Sequence, residues 1–275
     1  MNQDNPFKIY REPPFQSPSL IVAWTQDAGR LGSKTIDFLN RKLGGREIGE
    51  LDAATFFSLR GVQIEDNVIQ FPESKLYSCE GKDILLFKSD GPAREWYKFL
   101  NTILDMTVLH CNVKEVYTLG GFISSMAHTS FRKTIGVASQ PELKKELLAY
   151  VPDIDTLEYQ TPPGSRPTLN SYLLWVAKRR NISCVNLWAE VPFYLAASED
   201  PRACKNMLAI LDRKFNLGIA LDEIEDEIKS QNEKLENLKN QNPYIGRYIE
   251  MLEKGIMLDQ DESEKLAREV LEFLG

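Results

Sequence analysis

The segment at residues 182–228 constrains the fold of this 275-residue chain more than any other. Its apolar run at residues 182–187 predicts a buried strand, and we assign Trp188, Glu190 and Pro192 to the turn that follows. The next helix is amphipathic, with apolar positions at Ala203, Met207, Leu208, Leu211 and Phe215. A buried strand followed by a helix is the repeating unit of α/β folds, whose functional residues lie beyond the carboxyl ends of the strands.

The same alternation of strand and helix recurs along the chain. Further apolar strands are predicted at residues 20–24, 84–87, 116–119 and 135–138. Continuous apolar strands separated by helices predict a mainly parallel sheet covered on both faces, which is a three-layer α/β/α fold. Residues 56–77 lack a helical period, and Asp66-Asn67 separates two extended runs, so we expect a β-hairpin inserted at the edge of the sheet.

Beyond Leu221 the pattern becomes helical and strongly charged. A spacing of three and four residues predicts an amphipathic helix that ends at Asn242-Pro243 and is followed by two more helices. We expect an α/β/α core domain over residues 1–220 and a C-terminal helical hairpin and tail over residues 221–275. The apolar stripe can pack on the chain's own core, contact a partner, or do both. The candidate contact residues are Leu235, Leu238, Tyr248, Ile249 and Leu252.

Charge and composition exclude several classes of protein. There are 33 basic and 40 acidic residues, a net charge of −7, and no basic stripe, which argues against a nucleic-acid partner. The N-terminus lacks the apolar core of a signal peptide, and no run approaches the roughly 20 apolar residues of a membrane-spanning helix. We therefore expect a cytoplasmic protein. The four cysteines form no CxxC pair, so we expect buried thiols and neither a metal nor a cofactor.

Glycines near the ends of two predicted strands are candidates for ligand contact. Asp27, Gly29 and Gly32 lie between a strand and a helix, where backbone amides can meet an anion. The spacing fits neither a P-loop nor GxGxxG, and a tight turn is the favoured explanation. Gly120 and Gly121 could bring the backbone close to a ligand, although turn geometry explains them as well.

Two titratable groups are also expected beyond the carboxyl ends of the strands. Together with Asp27 and the four glycines they form the candidate rim. His128 lies in a loop rich in serine and threonine, but no GxSxG elbow is present, and a hydrogen-bonded structural histidine is favoured over a general base. Glu190 precedes Pro192 at the expected rim, where its carboxylate can meet a ligand, face water or pair with an arginine. We assign no catalytic residue.

Three sequence blocks together resemble the proteasome-assembly-chaperone family. They are LIVAWTQDAGRLGSKTIDFL, EVYTLGGF and VNLWAEVPFYLA, the last followed by an acidic helix, and they occur in the family's order over roughly residues 18–254. The resemblance implies a phosphorylase/hydrolase-like α/β core that assembles into oligomers, with a homotrimer as the expected state. It also implies chaperone activity of the kind that some eukaryotic and archaeal members have.

The chain departs from that family at two positions and matches it at another. His128 corresponds to a histidine that members often carry in this loop. Phe193 stands where many relatives have histidine after the Val-Pro pair, so a polar role there is lost. The last five residues, LEFLG, lack the penultimate tyrosine of archaeal members that resemble proteasome activators, which argues against docking on a proteasome by the tail.

Two functional classes follow from these patterns. The first is a non-enzymatic, homo-oligomeric chaperone-like or protein-interaction protein with an unidentified client. The alternative is a small-ligand-binding protein or an enzyme acting on a nucleoside or phosphorylated compound at the carboxyl ends of the strands. A pocket that joins Asp27, Gly120, His128 and Glu190 would favour the alternative, whereas an open rim or an apolar interface would favour the first class.

Overall fold

Ten strands and nine α-helices make up the part of the chain that the structure describes. The structure is a computed structural model, and it describes residues 6–13, 15–57, 61–65, 67–151, 160–161 and 163–275. The strands are β1 (Phe7–Ile9), β2 (Ser19–Trp24), β3 (Arg46–Leu51), β4 (Gln63–Glu65), β5 (Val68–Gln70), β6 (Ser74–Cys79), β7 (Ile84–Ser89), β8 (Glu115–Ser124), β9 (Thr134–Ala138) and β10 (Ser183–Pro192). The helices are α1 (Leu31–Lys42), α2 (Ala53–Phe56), α3 (Trp96–Cys111), α4 (Pro141–Tyr150), α5 (Leu169–Arg179), α6 (Pro201–Phe215), α7 (Asp222–Gln241), α8 (Pro243–Glu253) and α9 (Gln260–Leu274).

Eight strands form the main sheet in the order β1-β3-β6-β7-β2-β8-β10-β9. The central strands β7, β2, β8 and β10 are parallel, whereas β1, β3, β6 and β9 join the sheet through antiparallel pairs. Helices cover both faces, and the three-layer α/β/α class is confirmed. The parallel part is the centre of the sheet, where both faces are buried and strands are continuously apolar.

The hairpin predicted within residues 56–77 is present, but it pairs only with itself. β4 and β5 form a separate two-stranded antiparallel sheet, and β6 lies inside the main sheet between β3 and β7. Asp66, which the prediction placed at the turn, lies outside the described residues. Ile64, Val68 and Ile69 on this hairpin are exposed.

Two expected turns are in fact strand. β8 continues through Gly120-Gly121, and β10 continues through Trp188, Glu190 and Pro192, with Trp188 paired to Gly120 in the register. The assignment of these residues to turns was wrong because pairing between the two long strands persists after the apolar run ends. Side chains alternate along β10, so that Val191 and Glu190 point to opposite faces of the sheet.

Two apolar clusters lie on opposite faces of the sheet. The first cluster packs α1, α4 and α6 against the sheet, and it also contains the buried side chains of α7, α8 and α9. The second cluster contains the buried side chains of α2, α3 and α5. The C-terminal helices therefore extend the first helical layer, and their apolar stripe is buried within the chain.

Side-chain caps mark the start of several of these helices. Asp200 accepts hydrogen bonds from the amides of Arg202 and Ala203 at the start of α6, and Asn242 caps α8 directly after α7 ends. Asp259 and Glu262 form a capping box at the start of α9. None of the described helices has the length and apolar character needed to cross a membrane.

Candidate functional site

Asp27 follows β2 and joins two segments of backbone. Its Oδ2 accepts hydrogen bonds from the amides of Gly32 and Gly121, both at 3.0 Å. Burial raises the pKa of Asp27 to about 6, although these amide hydrogen bonds act in the opposite direction. Within the described residues, Oδ1 is buried and has no hydrogen-bond partner. Asp27 thus connects the start of α1 to β8, at the cost of a poorly solvated carboxylate.

The glycines around Asp27 allow chain segments to approach each other. A Cβ on Gly121 would lie 2.2 Å from the carbonyl oxygen of Ala28, and one on Gly32 would lie 2.9 Å from the Cβ of Ala23. Gly29 has a φ of +70°, in the left-handed region that glycine adopts readily. Close packing of the chain on itself accounts for these glycines without a ligand. Gly120 borders the Trp188 ring and the amide of Asn170.

A buried ion pair that the sequence analysis missed fixes the loop before β9. The Nε of Arg132 donates to Oδ2 of Asp200 at 2.7 Å, and both side chains are almost completely buried. The remaining guanidinium nitrogens of Arg132 donate to the carbonyl oxygens of Ala127, His128 and Ser130. Because Asp200 also caps α6, this pair attaches the loop to the first helical layer.

His128 is held by Tyr194 within this loop. The Tyr194 hydroxyl accepts a hydrogen bond from the His128 amide at 2.5 Å and lies 3.0 Å from its Nδ1. Burial, followed by the positive charge of Arg132, lowers the pKa of His128 to about 4. Burial also raises the pKa of Tyr194. The imidazole and the phenol are therefore both neutral near pH 7, as expected of a structural hydrogen-bonded pair.

Glu190 on β10 contacts the adjacent strand and the loop before β9. Its Oε1 accepts from the Ser124 hydroxyl at 3.3 Å, and its Oε2 accepts from the Lys133 amide at 3.2 Å. The Glu190 amide also donates to the carbonyl oxygen of Lys133. This carboxylate therefore links β8, β10 and the loop. These two partners are not among the alternatives that the sequence left open, which were a ligand, water and an arginine.

A groove of about 900 Å³ lies beside Asp27, but its lining does not include Gly120, His128 or Glu190. Charged side chains in the groove are largely paired with each other. Lys34 lies 2.5 Å from Glu199 and 2.6 Å from Glu227, and these carboxylates raise the pKa of Lys34 despite its burial.

A further ion pair in the same groove joins Lys88 to Asp37 at 2.6 Å. The structure thus distributes the candidate rim residues over separate contacts and does not bring them together in this groove.

The candidate contact residues of the C-terminal helices lie in the first cluster. Leu235, Leu238, Ile249 and Leu252 are buried, and Tyr248 is half-buried against them. Their side chains contact the chain's own core, as one of the alternatives left open by the stripe predicts. Of the five, Tyr248 keeps an accessible part of its side chain.

Among the exposed apolar side chains of the helical layers are two groups of neighbouring residues. An aromatic surface on α3 and α5 consists of Trp96, Tyr97, Tyr172 and Trp175. The α8–α9 turn, residues 254–259, exposes Ile256 and Met257. The spacing of Tyr172 and Trp175, three residues apart on one helix, is the sequence signal that could have indicated the aromatic surface.

Comparisons with known proteins agree with this fold. The family model described as the PAC2 family matches residues 20–239. No curated protein matches the sequence. A protein of unknown function from Corynebacterium glutamicum has a similar structure, with a TM-score of 0.74, 18% identity, and coverage of 92% of this chain and 97% of that one.

Two further structures are similar over almost their full length. A proteasome-assembly chaperone homologue from Mycobacterium tuberculosis has a TM-score of 0.69 at 18% identity, over 84% of this chain and 99% of that one. The archaeal proteasome activator PbaB from Pyrococcus furiosus has a TM-score of 0.69 at 17% identity, over 85% of this chain and 98% of that one. These likenesses support the fold, and the family model covers most of the chain. The resemblance seen in the sequence is confirmed, and the chain belongs to the PAC2 family.

Proposed function

We propose that this chain is a non-enzymatic, homo-oligomeric, chaperone-like protein that binds a protein client, with a trimer as the expected assembly. Its membership of the PAC2 family supports this function, as do similar structures described as a proteasome-assembly chaperone homologue and a proteasome activator. A cytoplasmic location belongs to the same proposal. Four free, buried cysteines are consistent with a reducing compartment.

One observation carries the non-enzymatic assignment: Asp27, His128 and Glu190 each make hydrogen bonds that hold the chain together, although Oδ1 of Asp27 has no partner within the described residues. Asp27 accepts two backbone hydrogen bonds, Glu190 accepts one backbone and one hydroxyl hydrogen bond, and His128 is bonded to Tyr194. A general base must instead reach the proton that it removes from a substrate. With a pKa of about 4, His128 is also a weak base near pH 7.

The groove beside Asp27 is the observation that favours the alternative, a small-ligand site. Its volume of about 900 Å³ lies within the usual range for ligand pockets. However, an incoming nucleoside or phosphorylated compound would have to compete with the ion pairs of Lys34 and Lys88. Displacement of paired charges costs free energy that a preformed anion site does not require.

The test uses a double variant, His128→Asn with Glu190→Gln, that removes acid–base chemistry and keeps the shape of both side chains. The amide of asparagine can replace Nδ1 in the contact with Tyr194, and glutamine retains an acceptor for Ser124 or Lys133. Affinity capture from an extract of the source cells should recover the same protein partners with this variant as with the unmodified chain. Light scattering should give the same mass for both.

The two functional classes predict opposite results for this variant. If the protein is an enzyme, turnover on a panel of nucleosides and phosphorylated compounds should be detectable with the unmodified chain. It should fall by about 100-fold to 10,000-fold in the variant, while the assembly stays intact. That result would refute the non-enzymatic function. Preserved capture without turnover would support it.

A further inference from the structure

The aromatic surface on α3 and α5 has the composition of a protein-binding surface. Tyr97 and Trp175 are 48% and 45% exposed, and their ring centres lie 6.0 Å apart. The ring of Tyr172 on α5 lies 5.3 Å from that of Trp175 and 6.3 Å from that of Trp96 on α3, centre to centre. Tryptophan and tyrosine are enriched at the residues that dominate binding energy in protein interfaces.

The α5 side of the aromatic surface is basic, although the whole chain is acidic. Residues 160–181 contain four basic residues and no acidic residue, whereas the chain has a net charge of −7. The guanidinium of Arg179 lies 5.0 Å from the centre of the Trp175 ring, and Lys178 beside it is exposed. A partner for this surface should therefore present apolar side chains within an acidic border.

The α8–α9 turn of the same chain has that complementary chemistry. Met257 is 74% exposed and Ile256 is 48% exposed. Residues 250–264, which contain the turn, include six acidic residues and one basic residue. Methionine packs well against aromatic rings because its thioether is polarisable and its side chain is flexible.

The α8–α9 turn is also held in a defined shape before any partner binds. The Ile256 amide donates to the carbonyl oxygen of Met251 at 2.8 Å, and Gly255 has a φ of +72°. Leu258 packs against the first cluster, and Asp259 caps α9. Because the backbone is already ordered, little conformational entropy is lost when Ile256 and Met257 are covered.

The two surfaces belong to opposite layers of the fold. The buried side chains of α3 and α5 lie in the second cluster, and those of α8 and α9 lie in the first, on the other face of the sheet. The two surfaces of one chain are therefore separated by the sheet, and a contact between them requires two molecules. Such a contact is heterologous, and repetition of it builds a closed ring or an open array.

We propose that the α8–α9 turn of one copy docks, through Ile256 and Met257, on the aromatic surface of α3 and α5 of a second copy. The basic border around Trp175 faces the acidic border of the turn. This inference rests on the proposed function, because it names the contact through which the homo-oligomer forms. A closed ring of three copies would use every surface of both kinds.

The test compares two variants, each with one surface altered. Tyr97→Ala with Trp175→Ala alters the aromatic surface, and Ile256→Ala with Met257→Ala alters the turn. All four side chains are at least partly exposed, and cooperative unfolding of each variant will show that its fold is retained. Matched controls are Leu109→Ala on α3, Tyr244→Ala on α8 and Ile69→Ala on the β4–β5 hairpin, which replace exposed apolar residues outside both surfaces.

Sedimentation velocity should show that self-association weakens by about 30-fold or more in each of the two variants and is unchanged in the controls. A mixture of the two variants retains one intact surface of each kind, so the mixture should form a heterodimer and no larger species. Association of the unmodified chain should also weaken as salt is added, because the charged borders are screened.

The possible outcomes separate this inference from the proposed function. If the unmodified chain is an oligomer and the two variants keep its mass, the docking contact is refuted while the oligomer stands. Dissociation caused by a control substitution, such as Ile69→Ala on the hairpin, would likewise refute it in favour of another interface. If the unmodified chain is a monomer, both the docking contact and the oligomeric part of the proposed function fail.

Discussion

Asp27 and His128 should make opposite contributions to the pH dependence of stability. Burial raises the pKa of Asp27 from 3.8 to about 6, so the folded chain binds this proton more tightly than the unfolded chain does. The resulting stabilisation is complete below pH 3.8 and is lost as the pH rises through about 6. At about 1.4 kcal/mol per pKa unit, the change amounts to at most about 3 kcal/mol.

The pKa of His128 is shifted in the other direction. Burial lowers it from 6.5 to about 4, so the stability that the neutral imidazole provides is complete above pH 6.5 and is lost as the pH falls through about 4. This change is also about 3 kcal/mol. In the unmodified chain the two contributions largely cancel between about pH 4 and pH 6.

Asp27→Asn should reveal the hidden contribution of His128. Asparagine keeps an acceptor for the amides of Gly32 and Gly121 and removes the poorly solvated charge. Relative to the unmodified chain, the variant should gain up to about 3 kcal/mol in free energy of unfolding as the pH rises through about 6. His128→Asn should show the reverse, with relative stability increasing as the pH falls from 6.5 to about 4.

The assay is urea unfolding at a series of pH values, with one fixed protein concentration because an oligomer's stability depends on it. The difference in free energy of unfolding between each variant and the unmodified chain isolates the titration of the replaced group, since every other titration is shared. If the difference curve for Asp27→Asn is flat with pH, Asp27 titrates at its ordinary pKa, and the argument from its burial is wrong.

Three further substitutions test the packing around the candidate site, each by its free energy of unfolding. Arg132→Met should cost about 3 to 5 kcal/mol, because it leaves the buried carboxylate of Asp200 without its counterion; a loss below about 1 kcal/mol would show that water reaches this pair. Gly121→Ala should cost about 1 to 3 kcal/mol through overpacking, whereas Gly91→Ala, which has open space, should be nearly neutral. Equal effects of the two alanines would contradict the close approach at Gly121. Leu187→Ala should cost about 2 to 5 kcal/mol, since Leu187 is fully buried, and an unchanged urea midpoint would disprove its burial.

The central strands, α6 and the three C-terminal helices could be predicted from the sequence because their signals are local. The apolar runs of β2, β7 and the first halves of β8 and β10 identify strands that are buried on both faces. β3, with the sequence REIGEL, carries too little apolar character to be recognised alone. It is a strand because β1 and β6 pair with it on either side, and no window of sequence contains that information.

The site was predictable where it follows a strand and unpredictable where it depends on distant pairs. Asp27 and its glycines occupy the expected loop after β2. Arg132 and Asp200 are separated by 68 residues, and nothing near either residue indicates that both charges are buried together. The burial of such a pair follows from the tertiary fold alone.

The apolar stripe of the C-terminal helices shows a similar ambiguity. Its three-four spacing fits packing within the chain and packing against a partner equally well. The structure buries Leu235, Leu238, Ile249 and Leu252 in the first cluster. Deletion of residues 230–275 would remove part of the core, so surface substitutions at Trp175 and Met257 are the better test of assembly.

Sedimentation velocity of the unmodified chain across micromolar concentrations will show whether the protein assembles. We expect a homo-oligomer, with a mass of three times the 31.4 kDa chain. A single species of 31.4 kDa at every concentration would contradict the assignment of this PAC2-family chain as an oligomeric, chaperone-like protein.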